Sequence, residues 1–165
     1  MLTPSHLALG IFLGSLTFPF LNAWAVMLGS MVMDIEPLLL IIFRQCYYCP
    51  HHGFFHSIFG ALVGSFILSL LIWLFRRKLD EISLKLKIKQ FFSFPRIFFS
   101  SFFAWSLHVF MDSLTHYDVF PFWPNVELYF RQDYLYWPLS IFSLFSGLLG
   151  IFIFYLRTNK WRISK

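Results

Sequence analysis

The chain has 165 residues, of which 58% are hydrophobic and only 13% charged, with 24 Phe and a formal net charge of +5. That balance is far from a soluble domain's and points to one domain, residues 1–165, embedded in a membrane. The excess positive charge does not indicate nucleic-acid binding, because no basic stripe lies on a polar, foldable face; topology and contact with anionic lipid account for it.

Thr3-Pro4-Ser5-His6 is a good helix start, with a capping hydroxyl and an early proline. An apolar run continues to Phe18, Pro19 interrupts it, and a second run covers Leu21–Met33. Each piece is only ~20 Å long as a helix, which predicts a tight hairpin, fully crossing or re-entrant. Asp34 and Glu36 follow it. Cys46-Tyr-Tyr-Cys49 is a lone C-x-x-C. Without a second pair it is open between a disulfide, plain thiols, and a metal or redox role.

Phe54–Phe75 is a 22-residue apolar run in which only His56 can carry charge. As a helix it would be ~33 Å long, enough for a hydrocarbon core of ~30 Å. Ile97–Leu107 is apolar or small and runs on to His116, and Trp137–Leu156 supplies a C-terminal transmembrane helix. Phe122, Trp123, Trp137 and nearby tyrosines read as an interfacial aromatic belt. The predicted fold is all-α: a polytopic helical membrane bundle of about five membrane-embedded helices, including the short N-terminal hairpin.

Arg76, Arg77, Lys78, Lys85, Lys87, Lys89 and Arg96 crowd one loop and its edges, and Arg157, Lys160, Arg162 and Lys165 close the chain. The positive-inside rule puts loop 76–96 and the C-terminus in the cytoplasm of a multi-pass membrane protein. His51, His52 and His56 then fall at the outer end of one helix and His116 at the outer end of another. Asp34 and His6 join them if the hairpin opens to the same face. The histidines took no part in the charge argument, yet all three clusters converge.

His108, Asp112 and His116 are spaced four apart, which returns them to one helical face. An ionised Asp112 at mid-span costs about 2.5–3.5 kcal/mol and must face the bundle interior with a partner. A cation is one such partner; a buried hydrogen-bonded network without metal is the alternative. His52 and His56 are also four apart and can share an ion. His108 and His116 are ~12 Å apart along a helix, too far for one ion at ~2 Å bonds. More than one ion is therefore expected, with Asp34 or Asp112 bridging. Imidazole and carboxylate together suit Zn²⁺, Mn²⁺ or Fe²⁺ and do not choose among them.

Three stretches carry a resemblance: Thr3-Pro-Ser-His-Leu-Ala-Leu-Gly10, His51-His-Gly-Phe-Phe-His-Ser57, and Leu107-His-Val-Phe-Met-Asp-Ser-Leu-Thr-His116 with its continuation to Pro124. Together with Gly29-Ser-Met-Val-Met-Asp-Ile35, they resemble the YdjM-like family of LexA-regulated inner-membrane metal-dependent hydrolases. They are more distantly similar to zinc-dependent phospholipase C-like proteins. The resemblance covers about 1–124. It implies ligands at His6, Asp34, His56, His108 and Asp112, with His116 matching the phospholipase-like form. Met33 stands where the pattern usually has Pro, and His52 where members often carry Arg. His51 and His52 both remain eligible as the first histidine, and helical spacing to His56 favours His52.

The expected function is thus a membrane-bound metal-dependent hydrolase acting on a lipid-like or other amphipathic ester or phosphodiester. Metal-activated water would be the nucleophile, and Glu36 or Asp118 would move the proton. No Gly-x-Ser-x-Gly elbow and no Gly-rich phosphate loop is present. The competing readings are an ion or proton transporter and a non-catalytic scaffold stabilised by metal. The loop after His116, with Asp118, Glu127, Arg131 and Asp133, is long enough to serve as a lid or as a plain connector.

Overall fold

The structure is a computed structural model that describes residues 2–44, 51–127 and 130–163. Cys46 and Cys49 lie outside the described residues. Seven α-helices appear among them: α1 Thr3–Thr17, α2 Ala23–Gly29, α3 Ile35–Arg44, α4 Ile58–Leu74, α5 Arg76–Lys85, α6 Phe94–Ser113 and α7 Tyr136–Ile163. Short 3-10 turns precede three of them, at Val32–Asp34, Phe54–His56 and Asp133–Leu135. There is no strand among the described residues.

Local chemistry sets the helix starts. Pro4 and Pro95 sit in the first turns of α1 and α6, where a missing N–H costs nothing. The Asn22 side chain caps α2 by accepting the Ala25 N–H, and Ser57 caps α4 by accepting from Gly60. The cap at Ser57 explains a departure from the sequence reading. Helix α4 does not begin at Phe54, because residues 54–56 coil tightly ahead of the cap. At 17 residues α4 is only ~26 Å long. It then turns by 72° into α5, which carries much of the basic loop.

The chain shuttles between two ends of one bundle. At one end His6, Asp34, His56 and Asp112 meet. At the other, Arg157 of α7 donates to the carbonyls of Ser15, Leu16 and Phe18 at the close of α1, and Arg96 donates to Pro19. The most extensive interface pairs α1 with α7, followed by α4 with α6 and by α2 with α6 and with α1. Gly147 and Gly150 permit the first of these: a Cβ at Gly147 would meet the Ala8 Cβ at 2.6 Å and one at Gly150 the Phe12 Cα at 2.5 Å. The apolar centre gathers Ala25, Met33, Ala61, Leu68, Ile97, Trp105 and Val109.

Large apolar side chains cover the outside, among them Phe66, Leu74, Phe99, Phe142, Phe145, Leu148 and Phe152. Lipid, not water, is the solvent such a surface fits. Two helical stretches are long and apolar enough to cross a membrane, Ala23–Phe43 and Asp133–Asn159, or three if the bent pair Ile58–Leu74 and Arg76–Lys85 counts as one span. The second arm of the N-terminal hairpin therefore runs past Met33, through the 3-10 turn and on into α3.

Candidate metal centre

Four segments deliver the site. His6 lies in the second turn of α1, buried at 1% exposure. Asp34 ends the 3-10 turn after α2, and Glu36 opens α3. His52 and His56 come from the segment before α4, and His108 and Asp112 from α6. His116 lies just past the end of α6, its backbone N–H donating to the Asp112 carbonyl at 2.8 Å.

The side chains form two sets that share one residue. Asp34, His56, His108 and Asp112 each offer a ligand atom within 4.8 Å of the others; His52, Asp112 and His116 do the same. His108 Nε2 lies 3.2 Å from Asp34 Oδ1 and 3.0 Å from Asp112 Oδ2. His56 Nε2 lies 3.7 Å from Asp34 and 4.0 Å from Asp112. His116 Nε2 approaches the other oxygen, Asp112 Oδ1, at 3.6 Å. His6 belongs to neither set, but its Nε2 is 3.0 Å from Asp112 Oδ1 and its ring stacks on His108 at 3.5 Å.

Behind these atoms stands a second row of oxygens. The Nδ1 of His108 faces the Ser30 carbonyl at 2.7 Å, that of His56 faces Glu36 at 2.9 Å, and that of His52 faces Asp118 at 2.8 Å. With Nδ1–H donated in each case, every Nε2 keeps its lone pair toward the middle. Metal-ligating imidazoles are normally oriented this way, with the second nitrogen donated to a carboxylate or carbonyl. His56 Nε2 and Asp34 Oδ2 are buried and make no hydrogen bond. Buried polar atoms are rarely left so. A cation between them would satisfy both, and the donor set fits Zn²⁺, Mn²⁺ or Fe²⁺.

Asp118 lies outside the helices. Burial pushes its carboxyl up, but the His52 ring and the backbone N–H groups of His51 and His52 outweigh that and hold it well below the usual carboxylate range. The same contacts settle the segment's local geometry. His52 is not on a helix with His56; Asp118 draws it in, and its ring meets His56 at 4.5 Å and His116 at 4.6 Å. Helical register was the wrong reason for preferring His52.

The cluster opens on a cavity of about 480 Å³. His52, His116, Asp34 and Asp118 supply its polar side, and Leu38 and Ile41 of α3 part of its apolar side. A model of the YdjM inner membrane protein family matches residues 1–164. The chain belongs to the YdjM inner membrane protein family. No curated protein and no solved structure matches it. For a YdjM-family protein, the apolar helices and exposed apolar surface fit residence in a membrane.

Sequence reasoning found every side chain of the two sets but not the Ser30 carbonyl, because a backbone acceptor leaves no mark on residue identity. It also missed Tyr136, which borders the cavity from the start of α7. An aromatic residue at the head of an apolar run reads as an interface anchor, and nothing local distinguishes the two roles.

Proposed function

We propose that this protein is a membrane-embedded, metal-dependent hydrolase with two metal positions bridged by Asp112. The observation that carries the reading is the convergence of oriented histidine Nε2 atoms on Asp34 and Asp112, with buried partners unsatisfied beside a cavity. Asp34, His56, His108 and Asp112 would hold the inner ion, and His52, Asp112 and His116 the outer one. A bound divalent ion supplies a Lewis acid and lowers the pKa of coordinated water toward ~7.

The chain's own residues do the rest. Glu36 accepts from His56 Nδ1 and from the backbone N–H groups of Gly53 and Phe55, which fixes the ring. Glu36 is therefore assigned to orientation. Asp118 borders the cavity while holding His52 Nδ1 and two backbone N–H groups, so it too is assigned to orientation, and the proton of the reacting water leaves through the cavity. Leu38, Ile41 and Tyr136 exclude water on one side and suit an amphipathic ester or phosphodiester entering from the bilayer.

The proposed topology has five membrane-embedded elements: α1, α2 with α3, α4, α6 and α7. The basic end faces the cytoplasm and the metal centre the outer face, as the charge bias favours. A transport path finds less support, since α6 has no ionisable side chain between Arg96 and His108 and α4 has none at all.

Metal analysis of the purified protein, with hydrolysis of chromogenic phosphodiesters and carboxylic esters, tests the proposal. About two divalent ions per chain are expected, with both metal and activity absent in His108→Ala/Asp112→Ala. Wild-type protein that takes up no added metal would refute the metal centre. Loaded protein inert on both ester classes would refute the hydrolase while leaving the centre standing.

A further inference from the structure

A second cavity, of about 230 Å³, lies at the opposite end of the bundle, between α1, α2, α7 and the segment after α5. Ile11, Met27, Ile88, Ile151 and Phe154 give it apolar walls. An apolar cavity of ~150 Å³ accommodates a benzene ring, so this one admits a segment of a single acyl chain and not a whole lipid.

Basic residues neighbour this wall in the chain. Leu86, Ile88 and Gln90 line the cavity, and the residues alternating with them are Lys85, Lys87 and Lys89, of which Lys85 and Lys89 are exposed. Arg157, also exposed, lies against the cavity residues Ser15 and Phe18, with its guanidinium 4.5 Å from the Phe18 ring. The wall carries one unsatisfied donor. Gln90 is 7% exposed and accepts the Ala23 N–H through Oε1 at 2.7 Å, while its Nε2 has no partner. Depth fits as well: Arg157 lies 21 residues beyond Tyr136 on α7, ~32 Å along the helix, so this cavity and the metal centre sit near opposite headgroup layers.

We infer that this cavity is a binding site for one acyl chain of an anionic phospholipid of the surrounding bilayer, whose phosphate is held by Lys85, Lys87, Lys89 and Arg157. Gln90 Nε2 lies beneath the wall without an acceptor, and an ester carbonyl would supply one once the side chain turns toward the cavity. Basic pockets between membrane helices hold anionic headgroups on the same principle. The site is independent of the metal centre and of any reaction there.

The test uses the full chain reconstituted in phosphatidylcholine vesicles containing phosphatidylglycerol with a diazirine on one acyl chain. Irradiation should label Met27, Ile88 or Phe154, and unlabelled phosphatidylglycerol should compete at least fivefold better than phosphatidylcholine. Lys85→Gln/Lys87→Gln/Lys89→Gln should bring the two competitors within twofold of each other while cavity labelling persists. Labelling confined to outward residues such as Phe145 and Phe152, or equal competition in the wild type, would overturn the inference. So would an unchanged preference in the triple variant. The wild-type competition decides the matter even if that variant fails to fold.

Discussion

Asp112 is the residue on which the centre turns. Its two oxygens serve different sets, Oδ2 toward His108 and His56 and Oδ1 toward His116, with His6 bracing Oδ1 from outside both sets. Substitution by Ala should remove both ions, whereas His116→Ala should remove only the outer one; metal stoichiometry by mass spectrometry separates the cases. Gly53 offers a subtler test. A Cβ there would meet Glu36 Oε1 at 2.6 Å, so Gly53→Ala should push the carboxylate away from His56. Loss of an orienting partner of this kind typically weakens metal binding about 10–100-fold, and competition with a chelator would read the change. The side chains that cluster were legible in the sequence because imidazole and carboxylate are anomalous in an apolar run. Their orientation was not legible, since it depends on Ser30, Glu36 and Asp118 arriving from distant segments.

Among the elements, the α1–α7 contact is the closest. Leucine at Gly147 or Gly150 would drive a side chain into the α1 backbone or Ala8. Overpacking of this sort costs about 1–3 kcal/mol; thermal unfolding in detergent should show the loss, and metal content should fall with it because His6 of α1 braces Asp112 and His108. Ser57→Ala removes the α4 cap at a cost of ~1 kcal/mol. It should loosen the turn holding His56 more than it unfolds the bundle, which hydrogen exchange on residues 53–57 would resolve. The apolar runs located the bodies of α6 and α7, but α6 ends at Ser113, short of the expected His116, and α7 runs past Leu156 to Ile163. They misjudged the start of α4 and the extent of the hairpin's second arm, because a 3-10 turn between apolar residues has no compositional signature.

At the scale of the whole molecule, the two ends differ in kind: one collects acids and histidines, the other lysines and arginines. Cysteine labelling from each side of sealed vesicles should find substitutions in 76–96 on one face and substitutions near Asn125 on the other. Reagent reaching both sets from the same side would refute the proposed bundle topology. Charge bias along the chain foretold this polarity, since the basic segments lie far from the histidines. The count of crossings is harder to read, because α1, α2 and α4 are each shorter than a bilayer core.

Helix α3 has a consequence of its own. Asp34 and Glu36 stand at its root, yet its outer length, from Leu38 to Phe43, is largely exposed, and its main packing is against the 3-10 turn that precedes it. Such an element works as a lever with two carboxylates at the fulcrum. Pressure on that exposed length, from a neighbouring acyl chain or a change in bilayer thickness, would reach the two carboxylates at the other end. In the proposed centre, the grip on metal would then follow the mechanical state of the surrounding lipid.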